Sequence, residues 1–93
     1  MEKVIIHYAT AGTLESSDAF VTVEPHDDNG LEIAIDSVVQ NQFGEQIYKA
    51  VQEVLDEQGI VSARVSVVDR GALDCVIRAR VETAVLRGKG DME

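Results

Sequence analysis

The chain has 93 residues, 45% of them hydrophobic, and a formal net charge of −9. That length suits a single domain spanning residues 1–93, with a modest core and no room for a deep catalytic cleft besides. The negative charge argues against a nucleic-acid partner, which needs clustered Lys and Arg, and no apolar run approaches a membrane span.

From the N-terminus, Val4-Ile5-Ile6-His7-Tyr8 reads as a short strand. Residues 9–18 read as an exposed loop. Within it, Ala11-Gly12-Thr13-Leu14-Glu15-Ser16-Ser17-Asp18 is small, polar and acidic, without the alternation of a strand or the spacing of a helix. Ala19-Phe20-Val21-Thr22-Val23-Glu24 is β-branched and aromatic, and Pro25 closes it. His26-Asp27-Asp28-Asn29-Gly30 predicts a turn, with Asn29-Gly30 supplying the positive φ of a tight hairpin. Leu31-Glu32-Ile33-Ala34-Ile35-Asp36 alternates apolar with acidic residues, broken only by Ala34, and forms the second arm of that hairpin.

Ser37 and Gln40 match a capping box, so a helix opens between Ser37 and Asn41. Val39, Phe43, Ile47, Ala50, Val51, Val54 and Leu55 form its apolar stripe, and Gln58-Gly59-Ile60 ends it with a glycine cap. Val61, Ala63, Val65 and Val67 alternate with Ser62, Arg64 and Ser66 in a further strand. Asp69-Arg70-Gly71 turns into a second helix over residues 72–87, with Leu73, Val76, Ile77, Val81, Ala84 and Val85 toward the core. Asp74, Arg78 and Glu82 step by four residues along its solvent side and can pair. The tail, residues 88–93, is expected to fray. The result is an α+β, two-layer sandwich in the order β-β-α-β-α, its sheet mainly antiparallel and both helices on one face.

Little here does chemistry unaided. His7 and His26 are the only histidines, and no base is held against a nucleophile. One cysteine and two dispersed histidines lack metal-ligand spacing. Cys75 excludes an internal disulfide, fits a reducing compartment, and reads as a small packing residue. With Ala72, Ala79 and Leu86 it forms a weaker apolar patch suited to a partner subunit. Residues 1–60 hold twelve acids against Lys3 and Lys49, whereas residues 61–93 hold five against six bases. This asymmetry serves solubility or steers the acidic half toward basic docking surfaces, with Glu15 and Asp18 beside the two serines. Arg80 stands in the apolar stripe of the second helix. Either its stem covers apolar surface while its head reaches water, or it holds a phosphate, with Arg78 beside it.

Three separated segments, Ala11 to Asp18, Gln42-Phe43-Gly44 and Gly71-Ala72-Leu73-Asp74-Cys75-Val76-Ile77-Arg78-Ala79-Arg80, together resemble the citrate lyase acyl carrier protein, the gamma subunit of that complex. They occur in the right order, and the match spans most of the chain. The resemblance implies that phosphoribosyl-dephospho-coenzyme A is attached to Ser16 through a phosphodiester, making the chain a phosphoprotein. By composition alone Ser16 is a turn or capping serine. Ser17 stands where the family often has glycine, and its hydroxyl leaves the attachment point open between the two.

The same resemblance implies a non-catalytic carrier in a cytoplasmic hetero-oligomer. A prosthetic-group transfer enzyme loads the arm. A transferase (alpha) subunit exchanges its acetyl group for citrate, releasing acetate. A magnesium-dependent lyase (beta) subunit then cleaves the citryl thioester to oxaloacetate. The alternatives are the carrier of a citramalate lyase or malonate decarboxylase, or an unmodified α+β interaction or regulatory domain.

Overall fold

The computed structural model describes residues 3–28 and 30–91. In chain order the elements are β1 (Lys3–Ile5), β2 (Ala9–Gly12), β3 (Ala19–Glu24), β4 (Leu31–Ser37), α1 (Gln40–Glu57), β5 (Ile60–Asp69), α2 (Asp74–Gly88) and β6 (Lys89–Asp91). The α+β class and both helices are as expected. The strand list is longer, because β2 lies inside the segment read as loop and β6 inside the segment read as frayed tail.

β5 organises the sheet. Its Ala63, Val65 and Val67 are fully buried, as the alternation of that segment requires. Along one edge β3 runs antiparallel to it, from Ala19 opposite Asp69 to Glu24 opposite Arg64. β4 runs parallel along the other edge, from Leu31 opposite Ala63 to Ser37 opposite Asp69. The hairpin expected between residues 19–24 and 31–36 therefore does not form, because β5 lies between its two arms. Asn29 is outside the described residues. Gly30, with φ of +121°, accepts a hydrogen bond from the Ala63 amide at 2.9 Å, so the link carries the chain past the start of β5. Arg64 ties the three strands together: it faces Glu24 and Glu32 in register, at 3.3 and 3.1 Å.

The path of paired strands runs β2-β3-β5-β1-β6, with β4 also on β5. Two of the five pairings among the described residues, β4 with β5 and β1 with β5, are parallel and the other three antiparallel, so the sheet is mixed with antiparallel pairing in the majority. β6 pairs antiparallel with β1, Lys3 opposite Asp91 and Ile5 opposite Lys89. Three residues of the expected frayed tail are thus sheet, while Met92 and Glu93 lie outside the described residues. α1 packs on β4 and β5, α2 on β2 and β3, and the helices pack on each other. Val21, Val23, Val65, Val67, Val51, Leu55, Val81 and Val85 meet there, all fully buried.

α1 opens at Gln40, inside the expected interval from Ser37 to Asn41, but without the expected capping box, and the start of α2 moves. Ser37 is the last residue of β4 rather than a helix cap. Its hydroxyl accepts from the Val39 amide at 3.1 Å and donates to Asp69 at 2.7 Å. Asp69, only 1% exposed, also accepts from the amides of Ala72 and Gly71, at 2.8 and 3.2 Å. These bonds hold Gly71, at φ of +90°, and Ala72 out of the helix, so α2 begins at Asp74, and Leu73, extended at its cap, is 71% exposed instead of buried.

Candidate functional site

β2 and β3 pair antiparallel from Ala9 opposite Val23 to Gly12 opposite Phe20, so the serine segment is the tip of a hairpin. The loop proper is residues 13–18, shorter than the expected 9–18. Its sharp bend lies at residues 15–18, where the Asp18 amide donates to the Glu15 carbonyl at 3.2 Å. Ser17, the third residue of that bend, has φ of +67°. A positive φ at this position is the signature of a type II turn, which favours glycine there. Ser16 occupies the second position, at the apex.

The strand pairing then slips by one residue. The Ser17 amide donates to the Arg70 carbonyl and the Arg70 amide donates to the Asp18 carbonyl, both at 2.9 Å. Two residues of one strand thus face one of the other, with the first in the left-handed region: a G1 bulge. The turn and the bulge make the same demand on Ser17, which explains physically why glycine suits that position. They also separate the two serines. Ser17 is fastened through its backbone to the end of β5. Ser16 is exposed, and its hydroxyl makes no hydrogen bond among the described residues.

Asp18 holds the loop in shape. Its carboxylate accepts from Arg80 Nε at 2.9 Å and from an Arg80 terminal nitrogen at 3.1 Å, a forked contact. It also accepts from the Thr13 hydroxyl at 2.8 Å and from the Ala19 amide at 2.7 Å. The Arg80 hydrogen bond, then those of Thr13 and Ala19, hold its pKa down to about 2. Gly12 makes room for this arrangement. At its φ of +91° an added Cβ would collide with the Ala19 carbonyl oxygen and lie 3.1 Å from Arg80 Cδ.

Several expected roles change. Asp18 is a largely covered anchor, its side chain 15% exposed, and not a solvent-facing docking acid; Glu15 is exposed. Arg80 neither reaches freely into water nor stands ready for a phosphate. Arg78 is likewise engaged, at 2.6 Å from both Glu53 and Asp74, and both carboxylates raise its pKa. Cys75 is exposed rather than packed, as are Ala79 and Leu86 of its patch. The anchoring by Asp18 was missed in the sequence. Its one signal was Arg80 itself, an arginine within an apolar stripe and so in need of a carboxylate. Among the described residues, no group of three or more His, Cys, Asp or Glu could hold a metal ion.

Comparison with known proteins follows the same lines. Residues 6–88 match the family described as the malonate decarboxylase delta subunit (MdcD). The chain is 53% identical over 83 residues to the citrate lyase acyl carrier protein of Vibrio cholerae serotype O1 (strain M66-2), covering 89% of this chain and 85% of that one. To the protein of the same name from Haemophilus influenzae (strain PittEE) it is 57% identical, with the same coverage. The chain belongs to the citrate lyase acyl carrier protein family. Members of this family are, by name, carriers. One chain in the crystal structure of a Pseudomonas malonate decarboxylase hetero-tetramer with malonate superimposes with a TM-score of 0.73, at 23% identity, over 94% of this chain and 98% of that one.

Acyl carrier proteins hold a prosthetic group, and the residues of the turn fit a covalent one. The apical hydroxyl is exposed, its neighbours are exposed from Thr13 to Ser17, and the backbone beneath it is hydrogen-bonded to β5.

Proposed function

We propose that the chain is the carrier subunit of a citrate lyase complex, with Ser16 joined through a phosphodiester to phosphoribosyl-dephospho-coenzyme A. The observation that carries this reading is the exposed, unbonded Ser16 hydroxyl at the apex of a braced turn. Bound there, the arm supplies the thiol on which an acyl group travels as a thioester, so no cysteine of the chain is needed. Ser16 offers the attachment oxygen to the transfer enzyme. The Asp18–Arg80 fork and the Ser17–Arg70 bulge keep that oxygen turned out from the sheet, where an enzyme can close around it. A tether at this point keeps the acyl group at high effective concentration near two partner sites.

Those partners, on this reading, are the transferase (alpha) and lyase (beta) subunits of citrate lyase, in the cytoplasm, after a prosthetic-group transfer enzyme has acted. Identities of 53% and 57% to citrate lyase carriers, against 23% to the malonate decarboxylase chain, favour citrate over malonate. Reconstitution tests this directly. Protein loaded by the transfer enzyme, added to alpha and beta subunits, should restore oxaloacetate release from citrate, and unloaded protein should not. Loaded protein that supports malonate decarboxylation with malonate decarboxylase subunits, but not citrate cleavage, would move the reading to that relative.

A further inference from the structure

Five arginines occur in the chain, and four have partners. Arg64 lies against Glu24 and Glu32, Arg78 against Glu53 and Asp74, and Arg80 against Asp18, while Arg87 donates to the Thr10 carbonyl at 2.7 Å. Among the described residues, only the Arg70 guanidinium makes no hydrogen bond or ion pair. Arg70 is exposed, and it is the residue whose main chain is bonded to both Ser17 and Asp18. Its side chain therefore starts from a point fixed beside the turn.

We infer that Arg70 holds the phosphate that joins the arm to Ser16, forming a phosphate contact on the carrier itself; this rests on Ser16 being the attachment point. Facing residues of a ladder lie at most about 5.5 Å apart at Cα, and neighbours along the chain about 3.8 Å, so Arg70 and Ser16 are within roughly 9 Å at Cα. An extended arginine and a serine phosphodiester together span that gap. The guanidinium fork suits two phosphate oxygens, and among the described residues no carboxylate is paired with it. Arg80, already forked onto Asp18, would have to release a carboxylate to do the same. An exposed pair of this kind biases the arm toward the contact by at most about five-fold. The phosphate end is thus steadied while the thiol end stays free to move between partners.

The test uses wild-type protein loaded by the transfer enzyme, with the arm verified by intact mass and mapped by peptide analysis, beside unloaded Ser16→Ala. In arginine side-chain NMR spectra, the Arg70 Nε–H signal should move between unloaded and loaded protein while those of Arg78 and Arg80 stay. The phosphorus signal of the diester should shift in loaded Arg70→Gln. The main-chain bonds of Arg70 do not involve its side chain, so backbone amide spectra of this variant should match wild type; if it does not fold, the wild-type comparison decides alone. An arm on Ser16 with an unmoved Arg70 signal, or with Arg80 moving instead, overturns the Arg70 contact only. An arm that is absent, or mapped to Ser17, overturns the Ser16 reading and the Arg70 contact with it.

Discussion

Ser17 at φ +67° bears a strain of about 1–2 kcal/mol that glycine escapes, because an L-side chain in the left-handed region crowds its own carbonyl. Glycine gives back part of that gain through the greater freedom of the unfolded chain. Ser17→Gly should therefore stabilise the protein by about 0.5–1 kcal/mol, read as a higher urea midpoint with an unchanged slope. A lower midpoint would contradict the turn described here. Asp18 gives a pH signature. Its pKa falls from 3.8 to about 2 on folding, so its contribution is complete above about pH 4 and is lost as pH falls through about 2. Acid titration of wild type should show stability declining in that window, and Asp18→Asn should flatten that part of the profile. An unchanged profile in the variant would mean the Arg80 fork is absent in solution. Resemblance alone singled out Ser16 in the sequence; composition left it a turn or capping serine, and the fold places it exposed in the turn. The sequence hid the Asp18–Arg80 bond, because nothing local reports a contact across 62 positions.

Single elements were legible where a period is strong. Ile47, Ala50, Val51, Val54 and Leu55 of α1 and Ala63, Val65 and Val67 of β5 are buried as their spacing predicts, whereas Phe43 is exposed and, at the start of β5, Ser62 rather than Val61 is buried. Alternation does not choose a strand's neighbour. Residues 19–24 and 31–36, with Asn29-Gly30 between them, carried a hairpin signal, yet β5 takes an edge of each. Charge agrees with that order: with β5 between them, Glu24 and Glu32 both lie against Arg64. β6 was hidden for a related cause, because three residues ending in Gly90-Asp91 have no period to read. Its junction is tight. A Cβ on Gly88 would lie 2.8 Å from the His7 carbonyl oxygen and 3.0 Å from Val23, while the Gly88 carbonyl accepts the Ile6 and His7 amides. Gly88→Ala should cost about 1–3 kcal/mol by chemical denaturation, since backbone must yield; no loss would mean α2 is not seated on the β1–β2 link. Cys75→Ala, on the exposed side of the same helix, should change stability by less than about 0.5 kcal/mol and leave acyl loading intact. Lost loading in a folded, fully modified variant would give the thiol a role the arm was assigned.

The molecule measures 39 × 21 × 21 Å, and the position of the serine turn within it follows from β5. β1 meets the start of that strand at Ile60, and the serine turn joins its far end at Arg70. Ten residues of extended chain separate them by roughly 30 Å. Ser16, the proposed attachment point, therefore lies far from the β1–β6 pair, where neither strand obstructs an approaching partner. No helix among the described residues is long and apolar enough to cross a membrane. The net charge of −9 is a property of the whole surface rather than of the turn, where Asp18 is neutralised by Arg80 and Glu15 is the exposed acid. The central claim is that this turn exists to present one hydroxyl. Co-expression with the prosthetic-group transfer enzyme, followed by intact mass and peptide mapping, tests it most directly. Wild type and Ser17→Ala should each gain the mass of one phosphoribosyl-dephospho-coenzyme A, on Ser16, and Ser16→Ala should gain nothing. An arm mapped to Ser17, or a mass gain that survives in Ser16→Ala, would contradict the account.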